Sequence, residues 1–129
     1  MTILIIDDEE MITDITSKIL GRAGYTVMTA ESGQAGVDLF RRDAHEIDLV
    51  LLDLVLDDLP GVEVLRQIRR TKAGIPCIIS SGQAPSPTDI PTELNSRLFF
   101  LQKPYRAEKL VQLVNEVLSD TASTKTPTE

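Results

Sequence analysis

The sequence predicts an α/β fold built on a parallel sheet. Short apolar runs alternate with amphipathic stretches, the order expected of successive β-α-β units. The runs are apolar almost throughout, as strands covered on both faces are. The residues that end each run are equally informative. Ile3-Leu4-Ile5-Ile6 leads to Asp7-Asp8, Leu49-Val50-Leu51-Leu52 to Asp53, Cys77-Ile78-Ile79-Ser80 to Ser81, and Phe99-Phe100-Leu101-Gln102 to Lys103-Pro104. Ligands of open α/β sheets bind beyond the carboxyl ends of the strands. Three carboxylates, a hydroxyl and an ammonium are therefore expected at one edge, a site for a divalent metal and a phosphoryl group.

The first strand is read at residues 2–6. A helix comes next, from Glu9 to Arg22, with Ile12, Ile15 and Ile19 on one face and a stop at Gly24. Tyr25–Ala30 reads as the second strand. Ser32 suits the N-cap of a helix carrying Ala35, Leu39 and the flanking Val37 and Phe40. The run Ile47–Asp53 is the longest and is expected at the centre of the sheet. The loop Leu54–Pro60 enters a helix from Gly61 to about Arg70, with Val62, Leu65 and Ile68–Arg69 supplying its period. Ile75–Ser80 and Leu98–Leu101 are the last strands, and Ala107–Leu118 the last helix, with Leu110, Leu113, Val114 and Val117 facing the core.

Between the last two strands the pattern weakens. Residues 82–91 hold three prolines and almost no helical period. Adjacent parallel strands need a long crossover, so a short helix is expected near Pro91–Ser96 behind a mobile loop. The Ser/Thr/Pro-rich end of the chain is expected to be disordered.

A chain of 129 residues fits one ordinary domain with a real core. Its net charge of −7 argues against a binder of nucleic-acid backbone, which leans on basic patches. Cys77 lies inside an apolar run and reads as a small buried hydrophobe. No apolar stretch reaches the roughly 18 residues of a membrane span. The N-terminus enters a strand pattern with no basic region before it, so no signal peptide is expected and the cytoplasm is the expected compartment. His45 falls in the polar Arg41–Glu46 turn and reads as a surface residue, and Arg66, Arg69, Arg70 and Lys72 as a solvated helix face. Glu9 and Glu10 read as first-turn acids complementing the helix dipole, and Asp57-Asp58 as solvated loop. Tyr105 reads as packing at the start of the last helix.

Paired aspartates joined by a third are costly without a cation, because like charges disfavour one another's ionisation. Mg²⁺ suits a few carboxylates, waters and phosphate oxygens. One aspartate can then attack phosphorus, and Asp53 is the candidate because the central run delivers it. Phosphoryl transfer spreads charge over three oxygens. The metal, the Lys103 ammonium and the Ser81 hydroxyl with nearby N–H groups can each serve one. Proline fixes the backbone directly after Lys103, and the cis or trans state of that bond is left open.

These motifs resemble the receiver domain of two-component response regulators, over about residues 2–118. The resemblance implies a flavodoxin-like (βα)5 three-layer sandwich with a parallel sheet in the order 2-1-3-4-5, from which this chain is expected to depart by an irregular or shortened fourth helix at its Pro-rich stretch. It implies a receiver over residues 1–119 and a tail over 120–129. Asp53 would be the phosphoacceptor. Asp8 and Asp53 would ligate Mg²⁺ (or Mn²⁺) directly, with Asp7 acting largely through water and the Val55 backbone carbonyl completing the protein ligands. Ser81 would move toward the phosphoryl group and let Phe100 turn inward. The implied partners are a sensor histidine kinase or a histidine phosphotransfer protein and an unspecified output target. Neither nucleic acid nor membrane would be bound directly, and the chain would be a monomer or weak dimer. It would not be an enzyme beyond catalysing its own phosphorylation and dephosphorylation.

Several positions depart from the family pattern. Where the family often has Met-Pro and then Asp-Gly after the acceptor, this chain has Leu56-Asp57 and Pro60-Gly61. Phe100 lacks the hydroxyl of a tyrosine. The segment Phe100–Tyr105 resembles receivers of hybrid sensor kinases more than those of DNA-binding regulators. Two other readings compete. A pseudo-receiver would bind partners without phosphate, although every expected side chain is present. A small aspartyl-nucleophile phosphatase would need an acid two residues after the nucleophile, where Val55 stands. Val55 also offers no polar group to orient an attacking water, so slow loss of the phosphoryl group is expected.

Overall fold

The computed structural model of the chain describes residues 1–82 and 90–122. Five strands, β1 (Thr2–Ile6), β2 (Thr26–Ala30), β3 (Leu49–Asp53), β4 (Cys77–Ser81) and β5 (Leu98–Gln102), form one parallel sheet in the order β2-β1-β3-β4-β5. This is the expected order, with β3 central and buried along its whole length. The register aligns the strand ends: Ile6 pairs with Leu52 and Ala30, and Asp53 with Ser80. Four helices cover the two faces of the sheet among the described residues: α1 (Glu10–Arg22), α2 (Gly33–Asp43), α3 (Gly61–Thr71) and α4 (Ala107–Ala122).

Alternate strand residues point to opposite faces, and the core divides accordingly. Leu4, Ile6, Val50, Leu52, Cys77 and Ile79 pack with Val37, Phe40, Val64, Leu65 and Ile68 of α2 and α3. Ile3, Ile5, Leu49, Leu51, Ile78 and Leu101 pack with Leu20 of α1 and Leu110, Val114 and Val117 of α4. Cys77 is buried, as expected. Phe99 and Phe100 join opposite faces.

Several boundaries and faces differ from expectation. β3 begins at Leu49 because Ile47 closes the 3-10 turn Ala44–Glu46, its N–H donating to Ala44 O. β4 begins after Pro76, which has no N–H for the ladder and only accepts from Val50. On α1 the buried residues are Thr13, Thr16 and Leu20, while Ile15 is 54% exposed. That helix turns polar residues inward because the Thr16 hydroxyl meets the Tyr105 hydroxyl (3.1 Å) and Thr13 Oγ1 donates to Glu10 O. Its stop is where expected: Gly24 takes φ +100°, a conformation costly for residues with a Cβ. On α2, Ala35 faces solvent and Gly36 takes the inward place against Ile6. Ser32 caps the helix as expected, accepting from Ala35 N at 3.0 Å.

The helix expected near Pro91–Ser96 is a single 3-10 turn, Thr92–Leu94. The expected mobile loop falls largely on residues 83–89, which lie outside the described residues, as do residues 123–129 of the expected tail. α4 runs past its expected end at Leu118 to Ala122. The basic group on α3 is not a uniformly solvated face. Arg69 is 8% exposed and donates to Leu94 O, Ser96 Oγ and Arg97 O. Lys72 Nζ donates to Ala44 O and Ile47 O. No helix among the described residues is long and apolar enough to cross a membrane.

Candidate functional site

The carboxyl ends of β1, β3, β4 and β5 bring the predicted groups to one edge of the sheet. Asp7 lies just past β1, its N–H bonded to Ala30 O (3.1 Å) and its Oδ1 accepting from Glu9 N (2.9 Å). Asp53 is the last residue of β3, and the chain beyond it is tied back by Leu54 N to Ser80 O. Ser81 ends β4, buried, and its carbonyl accepts from Lys103 N at 2.7 Å, which fixes where the lysine leaves β5. The Lys103-Pro104 peptide is cis. Lys103 Nζ then reaches Asp7 Oδ2 (2.7 Å), Asp53 Oδ2 (3.1 Å) and Glu9 Oε1 (3.2 Å). Phe100 is partly buried on the α2/α3 face of β5, paired with Ile79.

Asp7 and Asp53 are only 3% and 6% exposed, so their charges are screened weakly by water. Burial pushes the Asp53 carboxyl above its ordinary value, against the Val55 N–H on Oδ1 (3.1 Å) and the Lys103 ammonium; the Asp7 charge pushes it further up. Burial alone would lower the Lys103 pKa, but Asp7 and then Asp53 hold its proton and the net shift is upward. The Asp57 carboxyl is raised chiefly by the charge of Asp8. Burial raises the Tyr105 phenol, against its bond with Thr16.

The donor set fits a hard divalent cation. One carboxylate oxygen from each of Asp7, Asp8 and Asp53 lies within 4.8 Å of the others. All are oxygen donors, and a single ammonium offsets them only in part. Val55 stands beside them with its amide on Asp53, the residue as a whole 70% exposed.

Three contacts of this edge differ from expectation. Glu9 is the N-cap residue of α1, but its side chain makes no cap bond and pairs with Lys103 instead. Asp57 donates its N–H to Asp8 Oδ2 at 2.9 Å. Asp58 is not simply solvated: its Oδ1 and Oδ2 accept from Gly33 N (2.8 Å) and Gln34 N (2.9 Å) at the start of α2, which lowers its pKa, the Gln34 bond weighing most. The acidic Asp7–Glu10 run could have flagged Glu9, since all of it lies past one strand end. Nothing local marks Asp58, whose partners lie on another β-α unit.

Comparison with known proteins bears on the family and the fold. The family model of the response regulator receiver domain matches residues 3–115. The cell cycle transcriptional regulator CtrA of Caulobacter vibrioides is 30% identical over 118 residues, covering 92% of this chain and 50% of that protein. The sensor kinase CckA of Brucella abortus is 30% identical over 117 residues, covering 91% of this chain and 12% of the kinase. Relatives of both kinds thus match equally, and the chain spans half or less of their length. A CheY-like receiver domain structure from Methanospirillum hungatei superposes with a TM-score of 0.83 at 28% identity, covering 95% of this chain and 97% of that one. With the acidic and basic strand ends meeting on this fold, and the family model matching nearly all of the described residues, the chain belongs to the response regulator receiver domains of two-component systems.

Proposed function

We propose that this chain is a phosphoryl-accepting switch of a phosphorelay, with Asp53 as the acceptor. The observation that carries the reading is the meeting of Asp7, Asp8, Asp53 and Lys103 beyond strands far apart in sequence. The donor is the phosphohistidine of a sensor histidine kinase or of a histidine phosphotransfer protein, in the cytoplasm. An Asp53 oxygen forms the new P–O bond as the donor's P–N bond breaks, and the freed imidazole nitrogen takes a proton from solvent. Val55 N–H on Oδ1 and Lys103 on Oδ2 hold the Asp53 carboxylate in one orientation beforehand. Asp8, Asp53 and the Val55 carbonyl, with Asp7 largely through water, would hold Mg²⁺ (or Mn²⁺), which would supply positive charge to the phosphoryl oxygens. Lys103 offers its ammonium to another oxygen and Ser81 its hydroxyl to the third. Movement of Ser81 then frees space for Phe100 to turn inward, changing the surface that an output target meets. Val55 brings no polar group for a hydrolytic water, so the acyl phosphate is long-lived.

The test is incubation with Mg²⁺ and acetyl phosphate, then measurement of intact mass. One Mg²⁺-dependent phosphoryl adduct, absent from Asp53→Asn, is expected. Folded wild-type protein that takes no adduct and gives no spectral response to beryllofluoride would overturn the reading.

A further inference from the structure

We infer that Asp58 is a positioning residue for the cation site, acting through the N-terminus of α2. The inference rests on the proposed cation site of Asp7, Asp8 and Asp53 and adds a residue that touches neither cation nor phosphoryl group. Both oxygens of Asp58 are spent on the first two N–H groups of α2, those of Gly33 and Gln34. Ser32 takes the next through its side chain, and its carbonyl accepts from Gly36. The donors left open at a helix start are thus satisfied partly by a loop from elsewhere in the fold.

The adjacent residue grips the other side. Asp57 N–H donates to Asp8 Oδ2, and Asp8 has a carboxylate oxygen within 4.8 Å of those of Asp7 and Asp53. A proline at position 57 would have no N–H to give. Two consecutive residues therefore join Asp8 to α2. The loop that carries them has little freedom to absorb a shift. Val55 and Pro60 form a β-bridge, Gly61 N donates to Leu54 O (3.0 Å), and a Cβ on Gly61 would lie 2.5 Å from that oxygen. The far end is equally tight, since a Cβ on Gly33 would meet Val64 Cγ2 at 2.9 Å and Asp58 Oδ1 at 3.1 Å.

A displacement of Asp58 is thus carried to Asp57 and on to Asp8. Coupling of this kind is reciprocal. Whatever the cap adds to cation affinity, the bound cation adds to the cap. The path runs to α2 beside β1 and β2, on the opposite side of β3 from Ser81 and Phe100.

The test measures Mg²⁺ binding by calorimetry on the whole chain, with amide hydrogen exchange at Gly33 and Gln34 with and without Mg²⁺. In wild type, Mg²⁺ is expected to slow exchange at both amides. Asp58→Ala is expected to bind Mg²⁺ roughly fivefold more weakly, and Asp58→Asn, which keeps one acceptor, to lie between. Asp57→Pro is expected to bind more weakly than Asp57→Ala, which keeps the N–H. A purely structural cap would lower the melting temperature and leave the Mg²⁺ Kd and the Mg²⁺-dependent exchange unchanged. That result in folded Asp58→Ala, or wild-type exchange indifferent to bound Mg²⁺, would overturn the inference alone. Wild type that binds no Mg²⁺ would overturn the cation site and the inference with it.

Discussion

Lys103 stands between two carboxylates that have almost no water around them. Its ammonium contacts Asp7, Asp53 and Glu9, and of these only Glu9 has an exposed side chain. Removing one partner of a buried pair leaves the others as uncompensated charges, a larger cost than the pair itself is worth. Here the site opens to solvent at one side, which reduces that cost. Lys103→Met keeps most of the apolar stem and removes the charge. It is expected to lose about 2 kcal/mol of stability in EDTA, read from urea unfolding. Mg²⁺ should restore part of the loss, because a cation among Asp7, Asp8 and Asp53 answers the same charges. A variant as stable as wild type in EDTA would mean that the carboxylates do not depend on Lys103.

At the scale of elements, the crossover between β4 and β5 is held from below. Arg69 of α3 forks to Leu94 O, Ser96 Oγ and Arg97 O. Arg97 itself sits at φ +52°, a conformation uncommon outside glycine, and its carbonyl also accepts from Cys77 N at the start of β4. One guanidinium thus ties the segment 94–97 to α3 at three points. Arg69→Lys cannot reproduce the fork, and Arg69→Met removes it. Both are expected to cost about 2 kcal/mol in urea unfolding, whereas exposed Arg70 changed to Met should cost little. Equal values for Arg69→Met and Arg70→Met would contradict the strap. The contrast between these two arginines also marks what the chain discloses. The strands and the acidic edge were legible because buried parallel strands are nearly pure apolar runs and their ends stand out as charge. Asp7, Asp8, Asp53 and Lys103 meet as expected for that reason. The inward face of α1 was not legible, because Thr13 and Thr16 turn inward while Ile15 faces solvent. Arg69 and Asp58 were not legible either. Each is an ordinary charged residue in its own segment, and its role lies in partners about 25 residues away along the chain.

At the scale of the whole molecule, negative charge gathers at one sheet edge, where two of the carboxylates, Asp7 and Asp53, are buried and weakly screened. The net charge is −7, and Asp7, Asp8, Asp53, Asp57 and Glu9 gather at one sheet edge around Lys103. The strands β1 and β3 that deliver the aspartates are buried almost throughout and hold these strand ends in place, so the repulsion cannot be relieved by moving apart. Stability and cation binding are therefore expected to be linked. Occupancy of a native site stabilises by RT ln(1 + [L]/Kd), about 1.4 kcal/mol at ten times Kd. Asp8→Asn separates the two effects. The amide keeps an oxygen for the Asp57 N–H but removes a charge facing Asp57, Asp7 and Asp53. In EDTA the variant is expected to be more stable than wild type by on the order of 1 kcal/mol, read as a higher urea midpoint. In saturating Mg²⁺ wild type should gain stability while the variant gains little, so the order narrows or reverses. An Asp8→Asn protein less stable than wild type in EDTA would mean that this edge is not under charge strain. One that kept the full Mg²⁺ increment would place the cation elsewhere.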